Sequence, residues 1–325
     1  MDLWQLSDLC TPWCVYVVAT LRVADHLASG TTAIGELAAA AGADAESLHR
    51  VMRYLVSKGL FEETAPGQFA LNETAQELLD PRRRIWLDLQ GFGGRMAYAW
   101  GTLLTAVETG KPAYHEAFGR TFWDDLNAHP DIAADFDAGM GPAGHGLPDP
   151  QVLFDAKEWG SVGTVVDIGG GTGALLAEVL RAQPHVHGTL VDLPRTVARS
   201  GEVFRAAGVQ DRVTTIGQSF FDELPAGRDL YLLKSVLGDW PDREAGAILR
   251  RCAEAAKPAG RVMILSGVVP DEDVPPELLM LVLLGGKERS LGEFRGLARG
   301  AGLEVRVAGR LPSGRFAVEC RPASW

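Results

Sequence analysis

Four glycines fall among the five residues Gly169, Gly170, Gly171, Thr172 and Gly173, directly after the apolar run Val165-Val166-Asp167-Ile168. That run reads as a buried strand, and residues 174–182 read as a helix with Leu175, Leu176, Val179 and Leu180 on its inner face. Strand, glycine turn and helix in that order constrain the chain to an α/β fold. Glycine there also lets a ligand approach the backbone where any Cβ would collide with it. A second apolar run, Thr189-Leu190-Val191, ends in Asp192. That acid stands roughly 20 residues beyond the loop, where a strand-end carboxylate can accept both hydroxyls of a ribose. A bare βα turn would use the glycines for chain geometry alone; the flanking strand, the helix and the second acid favour nucleotide-type binding.

The rest of the composition bounds what such a fold does. A chain of 325 residues exceeds what one core usually holds, which predicts two domains. Its net charge of −11 argues against a nucleic-acid partner, which would require a basic surface. The sequence contains no run of 18 apolar residues, so no membrane span is expected. Met1-Asp2-Leu3-Trp4-Gln5 has no basic region leading into an apolar run, which argues against a signal peptide and for a cytoplasmic protein. Cys10, Cys14, Cys252 and Cys320 are too scattered for a disulfide framework or a zinc site. Cys10 and Cys14, at i and i+4 on one helix face, are expected to be buried free thiols. No pair of histidines has metal-ligand spacing, so no metal is expected.

Three regions follow along the chain. Residues 1–85 read as helices with a small β-wing. Thr32 is placed to cap a helix carrying Ile34 and Leu37, with Glu36 as its reciprocal partner, and Asp44 opens the next helix. Leu60 to Glu63, a turn at Pro66-Gly67 and Gln68 to Leu71 make a hairpin. Such a winged-helix arrangement often binds DNA, but the third helix offers only Arg50, Arg53 and Lys58. The apolar stretch Trp13 to Leu21 suits a homodimer interface better. Residues 86–150 form a helical, aromatic-rich linker whose Gly/Pro-rich end (139–150) reads as a hinge or lid. Residues 151–325 alternate strands with helices, implying a doubly wound, Rossmann-like parallel sheet closed by a late hairpin.

The pattern Asp167-x-Gly169-x-Gly171-x-Gly173, with an acid ending the next strand, is that of class I S-adenosyl-L-methionine (SAM) methyltransferases. More widely, the chain resembles the small-molecule O-methyltransferases of the caffeate type, including those of actinobacterial natural-product pathways. Its landmarks are Gly119-Arg120-Thr121-Phe122-Trp123, Asp211-Arg212-Val213, Ser219-Phe220-Phe221, Leu233-Lys234-Ser235, Asp239-Trp240 and Gly285-Gly286-Lys287-Glu288-Arg289. The resemblance implies a winged-helix-like dimerisation domain, a SAM domain, and a pocket for a small aromatic or polyketide acceptor. It assigns SAM to Asp167, Gly169, Gly170, Gly171, Asp192, Leu193, Ser219, Phe220, Lys234 and Trp240. Trp100, Phe122, Phe136, Met140, Gly238 and Met280 are the expected acceptor-pocket residues.

The chain departs from that family at the chemistry. Phenol-methylating members usually carry a histidine just before the Asp-Trp pair, and here that position is Gly238. A glutamate that orients the histidine aligns with Ser266, leaving Glu288, with Asp239 beside the vacancy. His145 in the Gly/Pro-rich segment and His115 on a loop are the candidate substitutes. Two functions therefore stand open: methyl transfer by proximity, or a non-methylating step (hydroxylation, decarboxylation or cyclisation) on the same scaffold. A silent binding protein would have no need of the glycine loop or Asp192.

Overall fold

The computed structural model describes residues 2–140, 159–311 and 314–323. These fall into two compact units, one made by residues 1–98 with 129–139 and the other by 99–128 with the chain from Met140 onward. His145 and most of the Gly/Pro-rich segment lie outside the described residues.

The first unit is helical with a two-stranded wing. Helix Ala45–Ser57 begins where the Asp44 carboxylate accepts the Ser47 amide at 2.9 Å, and its apolar residues recur at helical spacing, so Leu48, Met52 and Leu55 all point inward. They meet Val18, Val23, Leu37, Phe61 and Phe69 in one core. Strands β1 (Phe61–Ala65) and β2 (Gln68–Leu71) pair antiparallel as the hairpin. Thr32 does not cap helix Ile34–Ala41: Ala33 is its N-cap, and the Thr32 hydroxyl donates to Gln68 Oε1 at 2.8 Å. Ala33 bridges Gln68, so pairing with the wing draws Thr32 away from the helix end. Within the stretch Trp13 to Leu21, Val18 and Ala19 are buried in the unit's own core and the others stay partly exposed, with Leu3, Trp4, Leu6 and Leu9 exposed upstream. One further expectation changes. Cys10 is exposed and Cys14 partly so, their sulfurs 3.8 Å apart, because Cys14 packs only against the edge of that core and Cys10 lies a turn further out.

The second unit is built on a seven-stranded sheet. Its strands are β3 (Thr164–Ile168), β4 (His187–Asp192), β5 (Val213–Gly217), β6 (Leu230–Lys234) and β7 (Arg261–Leu265), followed, beyond two short strands, by the hairpin of β10 (Leu303–Arg310) and β11 (Phe316–Pro322). The order across the sheet is β10-β11-β7-β6-β3-β4-β5, parallel from β7 to β5 and antiparallel through the hairpin. The short strands β8 (Val268–Val269) and β9 (Arg289–Ser290) pair beside it. Because both faces are covered, neighbouring residues on one strand serve different cores. Val165, Leu230, Leu232 and Met263 pack on one side, and Val166, Tyr231, Leu233 and Ile264 on the other. Each such side chain contributes about 1.5–3 kcal/mol by burial, so this sheet is a rigid platform. Strand order reverses at β3, which has β4 on one side and β6 on the other. In an open α/β sheet, ligands bind beyond the strand ends at that reversal.

Candidate active site

The chain leaves β3 into the glycine loop, and three of its residues show why no side chain is tolerated. A Cβ on Gly170 would stand 2.4 Å from Asp167 Oδ2, and one on Gly173 2.3 Å from Phe204 Cζ. Gly171, at φ +61°, has nothing within 4 Å of its missing Cβ, so the loop opens outward there. Gly173 then caps helix Ala174–Ala182, whose first-turn amides carry positive partial charge. Beneath the loop Asp167 is 1% exposed, and neither of its oxygens finds a hydrogen-bond partner. Burial and the nearby Asp192 push its pKa up to about 7, opposed by the charge of Lys234. The Asp192 carboxylate accepts Gly171 N at 2.8 Å and Leu193 N at 2.7 Å, and burial raises its pKa as well. With the Thr196 hydroxyl also nearby, the carboxylate still has acceptor capacity left for a ligand hydroxyl.

This is a poor place for an anion and a good one for a cation-bearing nucleoside. A buried carboxyl without a partner gains most from a positive ligand, and the acceptor-only carboxylate of Asp192 suits the hydroxyls of a ribose. The residues therefore fit SAM. Lys234, at the end of β6, is partly buried, and its pKa is lowered by burial and then by Arg315.

An aromatic wall continues from the loop. A Cβ on Gly169 would meet Val236 at 2.8 Å and the Phe220 ring at 3.3 Å. Phe220 and Phe221 stand edge-on to Trp240, their ring centroids 5.9 and 5.0 Å from it, and Trp123 stacks on Trp240 at 6.3 Å. Ser219 turns inward to its own loop, its hydroxyl accepting Phe221 N at 3.2 Å.

Beyond Trp240 lies the turn Leu237–Asp239. Cβ atoms built on Gly267 and Gly286 would collide with it, at 2.8 Å from Gly238 N and 2.1 Å from Gly238 O. Gly238 itself is different: its own Cβ would meet only Glu288 Oε1 and Gly267 Cα, both at 3.6 Å, which is ordinary contact. Arg289, 1% exposed, holds the turn in place. It donates to the carbonyls of Leu237 at 2.8 Å and Trp240 at 2.6 Å, and pairs with Asp242 at 2.9 Å. Lys287 pairs with Glu293 at 3.2 Å and Asp242 at 3.4 Å. Neither cation is placed to form an ion pair with Glu288, whose Oε2 is buried with no hydrogen-bond partner. Burial and then the Glu277 charge raise the Glu288 pKa, against the Gly267 amide and Arg289. Asp239 is pushed up to about 7 by burial and by Glu288.

The remaining expected pocket residues scatter. Phe122 is buried between Tyr114 and Trp123, and it is Trp123 that reaches Trp240. Met280 spends its carbonyl on the Leu284 and Gly285 amides, at 2.9 and 2.7 Å. Trp100 is exposed in the turn Trp100–Thr102. Phe136 packs on Phe92 inside the first unit, and Met140 ends the helix Pro130–Met140. His115 is exposed on helix Tyr114–Phe118 and not on a loop. Ser266 takes the left-handed backbone at φ 73° and accepts Arg315 Nη1 at 3.3 Å. Sequence reasoning assigned no role to Arg289 or Trp123; the Gly-Gly-Lys-Glu-Arg and Gly-Arg-Thr-Phe-Trp landmarks were the available signals. Among the described residues no group of side chains is arranged to hold a metal ion.

With this geometry in hand, comparison with known proteins is decisive. The O-methyltransferase domain matches residues 100–304, and the O-methyltransferase dimerisation domain matches residues 4–81. The chain belongs to the O-methyltransferase family. It is a SAM-dependent methyltransferase with an N-terminal dimerisation domain. The 2,7-dihydroxy-5-methyl-1-naphthoate 7-O-methyltransferase of Streptomyces carzinostaticus is 43% identical over 95% of this methyltransferase and 94% of that protein. A crystal structure of an O-methyltransferase from neocarzinostatin biosynthesis (NcsB1), in complex with S-adenosyl-L-homocysteine (SAH) and 1,4-dihydroxy-2-naphthoic acid, superposes with a TM-score of 0.91. It is 40% identical and covers 99% of both chains. The aclacinomycin 10-hydroxylase RdmB of Streptomyces purpurascens is 36% identical over 93% of this methyltransferase and 83% of that protein.

Proposed function

We propose that this methyltransferase carries a methyl group from SAM to an oxygen of a small, fused aromatic natural-product intermediate of the naphthoate kind, by placement and not by a histidine base. The observation that carries the reading is Gly238: the turn between Trp240 and Glu288 offers the acceptor space where the family's histidine would stand. When bound, SAM supplies an electrophilic methyl group on a sulfonium. Asp192 would hold the ribose hydroxyls beside Leu193, and the loop Gly169 to Gly171 over Asp167 would hold the amino-acid end. Ser219 and Phe220 would border the adenine, with Lys234 and Trp240 at the edge of the site. Trp240 and its aromatic neighbours exclude water from the transfer path. Holding two reactants in line supplies about 7–11 kcal/mol, more than the about 10²–10⁴ in rate that a general base typically adds.

The naphthoate-type acceptor is supported by the relatives' substrates, and a cytoplasmic setting by the free cysteines. No helix among the described residues is long and apolar enough to cross a membrane. The test is mass spectrometry with SAM carrying a deuterated methyl, and 1,4-dihydroxy-2-naphthoic acid as first acceptor. A product heavier by the labelled methyl, with SAH formed, is expected. An acceptor altered only when SAM is present, with the label still on the cofactor, would replace this reading with the chemistry of a hydroxylase-like relative.

A further inference from the structure

We infer that Glu288 is the catalytic residue that takes the proton of the acceptor hydroxyl, reaching it through the space that Gly238 leaves open. The inference rests on the methyl-transfer reading and names the group that the missing histidine leaves unnamed.

Three observations converge. A Cβ at position 238 would point at Glu288 Oε1 from 3.6 Å, with no side chain between them. The second oxygen, Oε2, is buried and has no partner. A buried acceptor left unsatisfied is destabilising, and a hydroxyl donor on a ligand relieves it. The flanking cations are committed elsewhere, Lys287 to Asp242 and Glu293, and Arg289 to Asp242 and the carbonyls of Leu237 and Trp240. Arg289 is thus a positioning residue: it fixes the turn that presents Gly238 while leaving the adjacent carboxyl free.

The same surroundings select the protonation state of the acceptor. The charges facing Glu288 are Asp239 on the turn, Glu277 ahead of helix Leu279–Leu283, and the neighbouring Arg289 that opens β9. Two carboxyls against one committed guanidinium disfavour an oxygen that arrives already anionic. A neutral hydroxyl that donates to Glu288 is favoured. In the transfer its O–H bond breaks and the proton passes to Glu288. The oxygen keeps that electron pair and forms the new O–C bond, and the C–S pair stays with sulfur. Glu288 leaves the step protonated, the form that its burial favours.

The experiment compares the full-length wild type with Glu288→Gln, an isosteric change. SAH binding and thermal melting serve as folding controls, and 1,4-dihydroxy-2-naphthoic acid with labelled SAM as the reaction. The variant is expected to lose about 10²-fold or more in kcat while KM for SAM stays within about threefold. Its residual rate should climb steadily with pH, following ionisation of the free hydroxyl, where the wild-type rate levels off once Glu288 is deprotonated. Label transfer by the variant within about threefold of wild type, or an unchanged pH profile, would overturn the role of Glu288 alone. Absence of label transfer by both proteins, with SAH still bound, would instead overturn the methyl-transfer reading and the role of Glu288 with it.

Discussion

Gly170 and Gly238 stand in the same half of the molecule for opposite reasons. At Gly170 a Cβ would enter the Asp167 carboxyl at 2.4 Å, so glycine there is a steric necessity of the loop. At Gly238 a Cβ finds contacts only at 3.6 Å, and the backbone is outside the left-handed region, so glycine there answers no packing demand. The first glycine keeps a donor site whole, and the second leaves an acceptor site without the family's usual histidine. One residue type therefore reports cofactor binding in one turn and altered chemistry in the other. Only the surroundings tell them apart.

The largest expected effect tests the steric side. Gly170→Ala forces a methyl group against Asp167 Oδ2 and against Leu190 Cδ1 at 2.7 Å, both held by the sheet. Overpacking of this kind costs up to about 3 kcal/mol, so SAH binding by calorimetry should weaken about 100-fold. Binding within a few-fold of wild type would show that the loop yields, and the contrast with Gly238 would collapse.

Gly238→His tests the chemical side with a smaller, opposite effect. A Cβ at this position meets only ordinary contacts, beside Glu288, so thermal melting should change little. Turnover of weakly acidic phenols should rise about tenfold, short of the about 10²–10⁴ of an evolved base. No gain across a panel of catechols and naphthols would mean that position 238 does not face the acceptor oxygen.

The smallest effect is one of pH, and it compares the carboxyls of the two regions. Asp167 and Asp239 are both raised from 3.8 to about 7. A carboxyl raised in the folded state binds more protons folded than unfolded. Its contribution to stability is full below about pH 4 and is lost as pH rises through about 7. Urea unfolding should therefore show stability falling between those limits. A cationic ligand beside Asp167 favours its ionised form, so SAM should bind about threefold more tightly at pH 8 than at pH 6. Asp167→Asn should flatten that dependence of binding, whereas Asp239→Asn should leave it in place. A pH-independent affinity in the wild type would remove the cation from the neighbourhood of Asp167.

Legibility followed the range of the interactions. Helix Ala174–Ala182 was read to the residue, because its apolar spacing and the glycine before it are local signals. The cap at Asp44 was legible for the same reason. Thr32 was misread since Gln68, which claims its hydroxyl, lies 36 positions away. The thiols of Cys10 and Cys14 were expected inside because a helical face shows which residues travel together, not which way the face turns. Arg289 went unread because the carbonyls it holds, at Leu237 and Trp240, are 52 and 49 positions away.

By itself the sequence determined the α/β class, the strand–glycine–helix turn, the acid at the end of the next strand and the loss of the usual histidine. Each depends on residue type and on spacing within one or two elements, where backbone geometry and hydrophobic period dominate. Tertiary structure alone decided that Asp167 lies buried and unpartnered beneath Gly170, that Arg289 clamps the turn carrying Gly238, and that Glu288 is left free beside it. Those are matters of desolvation and of which charge reaches which partner, and both are set when distant segments are packed against one another.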